Sequence, residues 1–350
     1  MDSSLNKPQR ILILGAGNFG TCLAQHLARH DHNILLWSRS SQITEHINTK
    51  HKNPKYLSTI TLSNNIKATD NISADDWKSA HALLLTIPTQ SLREVLESFK
   101  TQIPKNMLII CAAKGIEQKT LKLPTDIIRD ILGTDAARKC VFLSGPSFAE
   151  EIIRGQPTAV CVASKDDASA REAQKIFHSS YFRTYTSNDP VGLEICGALK
   201  NVIAIAAGVC AGLGYEQNAQ AALLTRGLAE LTRIGVALGA HPLTFVGLSG
   251  VGDLFLTCSS PKSRNYSVGF RLGKGEKLDH IIGTMGSVAE GVATAKAAYE
   301  LSQKLKINTP IINEVYQALY QGKDIKKAVT SLLSRDAKNE LDEEIINASD

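Results

Sequence analysis

The chain has 350 residues, 39 Lys and Arg against 34 Asp and Glu, a formal net charge of +5, and 43% apolar and 21% charged residues. This is ordinary globular usage, which excludes collagen-like, coiled-coil and disordered classes, and the length suits two domains. Residues 1–188 carry 23 basic and 17 acidic side chains and residues 189–350 carry 16 and 17; without a dense Lys/Arg stripe among aromatics, that tilt fits anionic small ligands rather than nucleic acid.

Taken in order, the chain reads first as alternating strand and helix. Residues 11–14 are a continuous apolar run, as expected of a strand buried on both faces. Gly15 to Gly20 follow, then Phe19, Leu23 and Leu27 recur at helical spacing. Further strands are expected at 34–37, 82–87, 107–111, 141–144, 159–163 and 182–186, with helices at 91–99 and 125–132 among them. Such alternation predicts an α/β domain with a doubly wound, mostly parallel sheet. Near Asn188-Asp189-Pro190 the strand signals stop, and Ala/Gly/Leu-rich helical stretches take over at 191–211, 218–238, 242–248, 288–305 and 311–321. The reading is therefore a Rossmann-type domain over 1–188 and an all-α domain over 189–350, with 335–350 as a loose polar tail. No apolar run of about 18 residues stands out, so no stable membrane insertion is expected. Residues 1–10 lack the apolar core of a secretory signal. Seven scattered cysteines with no CxxC pair suit a reducing cytosol, and hence a cytoplasmic protein.

Gly15-Ala16-Gly17-Asn18-Phe19-Gly20 has a buried strand before it and an amphipathic helix after it, the context a dinucleotide fingerprint needs. Gly15 permits the tight turn, Gly17 lets the backbone approach a pyrophosphate, and Gly20 allows close helix–strand packing. The next strand ends Trp37-Ser38-Arg39 where an NAD-selective site carries Asp or Glu, so Arg39 points to a 2′-phosphate and NADPH; the alternative is a solvated surface arginine. Lys200 is the candidate proton donor or acceptor for a hydride-transfer reaction, because Cys196, Gly197, Ile203, Ala204 and Ala207 surround it at helical spacing. Such a setting lowers a lysine pKa, unless the side chain snorkels to solvent. Asp253 in Gly250-Val251-Gly252-Asp253-Leu254 needs a cationic partner, and Ser263-Arg264-Asn265 offers a guanidinium, a hydroxyl and an amide to a phosphate monoester. Lys114 and the stretch Ser144-Gly145-Pro146-Ser147-Phe148-Ala149 each follow a strand, where open sheets bind ligands; plain strand–helix turns are the alternative. His26 and His30 have metal-ligand spacing but no third ligand nearby, so they read as a helix-surface pair and no metal is expected.

Together with Leu224-Thr225-Arg226-Gly227-Leu228-Ala229-Glu230, Thr257-Cys258 and Ala289-Glu290-Gly291, these motifs resemble, in order, the bacterial NAD(P)-dependent sn-glycerol-3-phosphate dehydrogenase family over about residues 10–334. The resemblance implies reversible reduction of dihydroxyacetone phosphate to sn-glycerol 3-phosphate by NADPH or NADH, supplying phospholipid synthesis, in a homodimer. It implies Lys200 as the proton donor, with Lys114, Gly145, Ser147, Asp253, Ser263, Arg264 and Asn265 around the substrate. It places Gly15, Gly17, Asn18, Phe19, Gly20, Arg39, Lys114, Ala149, Arg264, Val288 and Glu290 around the cofactor. Relatives carry Ser-Trp or Ser-Tyr where this chain has Asn18-Phe19, and often Thr in place of Ser147. The competing readings are a β-hydroxyacid or ketopantoate-type reductase, which would recognise a carboxylate, and a nicotinamide-nucleotide sensor without turnover.

Overall fold

The computed structural model describes residues 8–286, 289–337 and 339–340. The chain divides into two compact units, Met1–Ala113 with Pro124–Pro190, and Lys114–Leu123 with Val191–Asp350. A single division at residue 188 would leave Lys114–Leu123 in the first unit; its apolar residues Ile116 and Leu123 instead lie in the core of the second.

The first unit is an eight-stranded sheet: β1 (Arg10–Leu14), β2 (Asn33–Trp37), β3 (Ile66–Thr69), β4 (Ala82–Leu85), β5 (Leu108–Cys111), β6 (Val141–Ser144), β7 (Thr158–Ala163) and β8 (Phe182–Ser187). Their spatial order is β3-β2-β1-β4-β5-β6-β7-β8, parallel throughout except for the antiparallel β6–β7 pair. Chain direction from β1 goes outward both ways, so the turn after β1 lies at the topological switch point, where such sheets bind ligands. Side chains alternate between two cores. Ile11, Ile13, Ile34, Leu36, Leu84 and Ile110 meet Leu23, Leu27 and Phe177 on one face. Leu12, Leu14, Leu35, Leu83, Leu85 and Ile109 meet Trp77, Leu92 and Leu96 on the other.

The sequence reading omits β3. This strand is short, lies at the sheet edge and alternates buried Ile66 and Ala68 with an exposed lysine, so it lacks the continuous apolar run of its neighbours. His26 also differs from the expected surface pair. It is 1% exposed, its Nε2 donates to the Phe177 carbonyl at 2.8 Å, and its Nδ1 accepts from the Tyr181 hydroxyl at 2.9 Å. Burial pushes its pKa down to about 3, so the ring is a neutral strut between the first helix and the β8 side of the sheet.

The second unit is helical. Its central helix, Pro190–Gly212, is long and apolar enough to cross a membrane by length and composition, with a mean hydropathy of 1.7. It contains the stretch expected as a helix at 191–211, and 89% of its most apolar 18 residues are buried inside the protein. The Gln217–Ala237 and Pro310–Tyr320 helices lie near their expected places. The stretch expected as one helix at 242–248 is a 3-10 turn (Pro242–Val246), followed by a π turn (Leu248–Gly252) that leads into an α-helix (Asp253–Cys258).

The sequence reading omits the Arg264–Gly273 helix, whose Gly269 and Gly273 are poor helix formers. They are contact surfaces instead. A Cβ on Gly269 would stand 1.9 Å from the Ile205 carbonyl oxygen, and one on Gly208 would stand 2.0 Å from that of Tyr266. The helix expected at 288–305 begins at Glu290, and Val288 lies outside the described residues, as do residues 341–350 of the expected tail. Helices Leu278–Thr284 and Ile325–Leu333 complete the unit.

Candidate active site

The site of the helical unit is built on the middle of the Pro190–Gly212 helix. Lys200 lies there with only 6% of its surface exposed, so it does not snorkel to solvent. An ammonium in apolar surroundings needs a counter-charge, and Asp253 supplies it, with Oδ1 2.5 Å from Lys200 Nζ. One turn further along the same short helix, Thr257 Oγ1 accepts from Lys200 Nζ at 2.9 Å and donates to the Asp253 carbonyl at 2.6 Å. Lys114 Nζ donates to the other carboxylate oxygen of Asp253 at 3.1 Å. One carboxylate, 1% exposed, is thus shared between two ammonium groups.

The charge count sets the direction of the pKa shifts. With both lysines protonated the cluster carries net +1 in a low-dielectric setting, and loss of one proton neutralises it. Burial pushes Lys200 down to about 8 against the pull of Asp253, and the positive charge on Lys114 adds to the fall. For Asp253, burial acts upward, but Lys114 and Lys200 outweigh it and hold the carboxyl below its ordinary range. A lysine that titrates near neutrality, gripped by an ionised carboxylate, can both give and take a proton. The Cys258 thiol next to it is pushed up by burial and stays protonated.

The Arg264–Gly273 helix starts beside this cluster. Ser263 caps it, its buried Oγ accepting from the Tyr266 N–H at 3.3 Å, and the Arg264 guanidinium is exposed at the first position. First-turn N–H groups have no intrahelical acceptor, so a helix N-terminus with a guanidinium beside it offers donors that an anion can accept from. Asn265 is 8% exposed, its Nδ2 donating to Asn201 Oδ1 at 2.9 Å. Glu290 opens the Glu290–Leu305 helix, and burial raises its carboxyl although Arg264, Lys114 and Lys200 pull it down.

In the sheet unit the remaining candidates lie at the carboxyl ends of parallel strands. Gly15 adopts φ +116, and a Cβ on Gly20 would stand 1.9 Å from the Gly15 carbonyl oxygen, so neither tolerates a side chain. At Gly17 a Cβ would meet no protein atom within 4 Å, and no side chain caps the Asn18–Ala28 helix that begins there. An open space facing uncapped N–H groups is what a pyrophosphate fills, so these residues fit a dinucleotide. Phe19 packs on the apolar core beside the turn, and Arg39 is exposed immediately past β2. Beyond β6, Gly145 has φ +139 and sits against β7, where a Cβ would be 2.9 Å from Val160 Cα; Ser147 Oγ donates to the Gly145 carbonyl at 2.8 Å. Ala149 starts the short helix after it, and its carbonyl accepts from Cys22 Sγ at 3.3 Å.

Three supporting residues escaped the sequence reading of the site. Thr257 was noticed only as part of a motif, although its spacing of four from Asp253 puts both on one helix face. Asn201 follows Lys200 and carries no signal by itself. Asn53, 1% exposed, donates to the Ala16 carbonyl at 3.0 Å and to Thr21 Oγ1 at 2.8 Å, holding the glycine turn from a segment 37 residues downstream.

Residues 10–170 match the model of the NAD-dependent glycerol-3-phosphate dehydrogenase N-terminus, and residues 189–330 that of its C-terminus. The chain is 47% identical over 335 residues to the glycerol-3-phosphate dehydrogenase [NAD(P)+] of Limosilactobacillus reuteri, covering 95% of this chain and 99% of that one. It is 47% identical over 337 residues to the enzyme of the same name from Geobacillus kaustophilus, at 96% and 97% coverage. The crystal structure of glycerol-3-phosphate dehydrogenase from Coxiella burnetii superposes with a TM-score of 0.89 at 33% identity, covering 94% of this chain and 99% of that one.

Proposed function

The chain belongs to the NAD-dependent glycerol-3-phosphate dehydrogenase family, and from that premise we propose how its own residues reduce dihydroxyacetone phosphate to sn-glycerol 3-phosphate. The observation that carries the reading is the buried Lys200–Asp253 pair, 2.5 Å apart and flanked by Lys114. NAD(P)H, when bound, supplies the hydride for the ketone carbon. Lys200 supplies the proton to the ketone oxygen as negative charge develops there, and takes it back in the oxidation direction. Asp253 and Thr257 fix the direction of Lys200 Nζ, and Asp253 keeps it charged near neutral pH despite burial. Lys114, sharing the same carboxylate, adds positive potential where the alkoxide forms.

Arg264 and the N-terminus of its helix hold the substrate phosphate, with Ser263 as the cap and Asn265 as an amide donor. Binding energy from that remote group positions the ketone against Lys200. Gly145 and Ser147 border the substrate from the sheet unit. Gly15, Gly17, Asn18, Phe19, Gly20, Arg39 and Ala149 hold the cofactor, and Glu290 borders it; Arg39 favours NADPH through the 2′-phosphate. The product supplies phospholipid synthesis, and the enzyme works in the cytoplasm as a homodimer, with no membrane insertion.

The test is oxidation of NADPH or NADH followed by absorbance, with dihydroxyacetone phosphate beside unphosphorylated dihydroxyacetone and ketopantoate. Rapid oxidation with the phosphate alone is expected; turnover of ketopantoate would move the chain to the carboxylate-reducing class, and cofactor binding with no turnover to the sensor class. Lys200→Ala is expected to abolish turnover while NADPH still binds, and retention of more than about one per cent of activity would remove Lys200 from its role.

A further inference from the structure

Three residues of the proposed site are each followed in sequence by a residue that takes no part in the chemistry above except through Asn265. Lys200 precedes Asn201, Arg264 precedes Asn265, and Glu290 precedes Gly291. These three successors are hydrogen-bonded to one another. Asn201 Nδ2 donates to the Gly197 carbonyl at 3.2 Å, Asn265 Nδ2 donates to Asn201 Oδ1 at 2.9 Å, and the Gly291 N–H donates to Asn265 Oδ1 at 2.9 Å. Asn201 and Asn265 are 5% and 8% exposed.

A side-chain amide can turn over when its surroundings accept either end. Neither amide can do so here. The Gly291 N–H can only donate, so it must face the oxygen of Asn265. The Gly197 carbonyl can only accept, so it must face the nitrogen of Asn201. The chain of bonds therefore has one polarity, set at both ends by backbone groups. Asn265 has its oxygen turned to Gly291 and retains one N–H after its bond to Asn201. A donor is what an anion requires; the oxygen in its place would repel one.

Gly291 is confined to this role sterically. A Cβ there would stand 2.6 Å from the Asn201 carbonyl oxygen and 2.7 Å from Asn265 Oδ1, the atom its own N–H binds. Both lie too close for the carbon to be accommodated without a shift of the relay.

We infer that Asn201 and Gly291 are positioning residues, which hold the Asn265 amide as a donor toward the substrate phosphate. The inference rests on the proposed reading that the phosphate sits at the start of the Arg264–Gly273 helix.

The experiment uses full-length wild type, Gly291→Ala and Asn201→Leu. For each, kcat/KM is measured with dihydroxyacetone phosphate and with unphosphorylated dihydroxyacetone, and NADPH affinity is measured by fluorescence titration. The preference for the phosphorylated ketone is expected to fall about tenfold or more in both variants, with NADPH affinity unchanged within about twofold, since Gly291→Ala displaces the Asn265 oxygen from its anchor and Asn201→Leu frees the Asn265 nitrogen from its anchor, and a donor that is no longer held in place weakens the charge-assisted bond at the phosphate alone. An equal fall with both substrates, as a general structural lesion would give, overturns the inference; so does an unchanged preference. If Gly291→Ala does not fold, Asn201→Leu, nearly isosteric and without an added Cβ at 291, decides. A wild-type enzyme with no preference for the phosphorylated ketone overturns the substrate reading itself, an outcome visible without any variant.

Discussion

Asp253→Asn removes the one negative charge between two ammonium groups and nearly nothing of the side-chain volume. Lys200 is 2.5 Å and Lys114 3.1 Å from the carboxylate that disappears. Removing one partner of a buried ion pair costs about 3–5 kcal/mol when the other charge stays. Lys200 avoids that cost by releasing its proton, and at about 1.36 kcal/mol per unit its pKa falls by about 2–4 units. In the wild type it titrates at about 8, so near neutral pH it is mainly charged. In ketone reduction the lysine must carry the proton, so wild-type kcat/KM falls as pH rises through about 8. The variant's descending limb moves to the acid side by about 2–4 units, and its rate near neutrality drops by about tenfold to a hundredfold or more. In alcohol oxidation the lysine must be neutral, so the wild-type rate climbs with pH through about 8 and the variant reaches its plateau at lower pH. The assay is the pH profile of kcat/KM in both directions on both proteins. A reduction limb that stays at the wild-type position, however slow the variant has become, refutes Asp253 as the group that sets the charge of Lys200.

Two further outcomes follow from parts of the chain outside that cluster. Arg39→Asp places a carboxylate just past β2, where the proposed function has the 2′-phosphate of NADPH bound; the kcat/KM ratio of NADPH to NADH is expected to fall, and an unchanged ratio would make Arg39 a solvated surface residue. Glu230 is 1% exposed and accepts the N–H groups of Ile311 at 2.7 Å and Ile312 at 3.1 Å, so it caps the Pro310–Tyr320 helix from a neighbouring helix. Glu230→Ala leaves two buried donors unpaired, at about 1–3 kcal/mol each; thermal denaturation should show a large fall in Tm with kcat/KM little changed below it, and a wild-type Tm would mean that the cap contributes nothing.

What could be read from the sequence depended on whether a residue's partners were local. The strands β1, β2, β4, β5 and β6 are buried on both faces, so their apolar runs are visible without knowledge of their neighbours. The edge strand β3 is half-buried and takes its identity from pairing with β2. Glycine was ambiguous for the same reason. Gly15 and Gly20 announce a turn through their immediate context, whereas Gly208 and Gly269 sit inside helices because a second helix backbone approaches them. The apolar setting of Lys200 was legible at helical spacing and so was the need of Asp253 for a cation, but the two lie 53 residues apart, and spacing alone did not say which lysine Asp253 meets. Asn53 gave no sign and Gly291 entered only within a motif, since each acts through long-range hydrogen bonds.

Lys114 shows how far the folding unit departs from the continuous sequence. The chain leaves β5, crosses into the helical unit for ten residues and returns to the sheet unit at Pro124. Within that excursion Ile116 and Leu123 are 0% and 6% exposed in the helical core, and burying two such side chains contributes about 3–6 kcal/mol in total. Gln118 donates to the Ala293 carbonyl at 3.0 Å, in the first turn of the helix that Glu290 begins. Leu121 takes up φ +57 where the segment doubles back, and the Glu117 N–H donates to the Lys122 carbonyl at 2.9 Å to close the loop. Lys114 is therefore placed against Asp253 by the packing of the helical unit itself. A fragment beginning at residue 189 would contain Lys200, Asp253 and Thr257, yet it would lack the second ammonium and the two apolar side chains that fill its core. The charge balance that lowers Lys200 belongs to a unit assembled from two separate stretches of chain, which is why neither stretch alone specifies the chemistry.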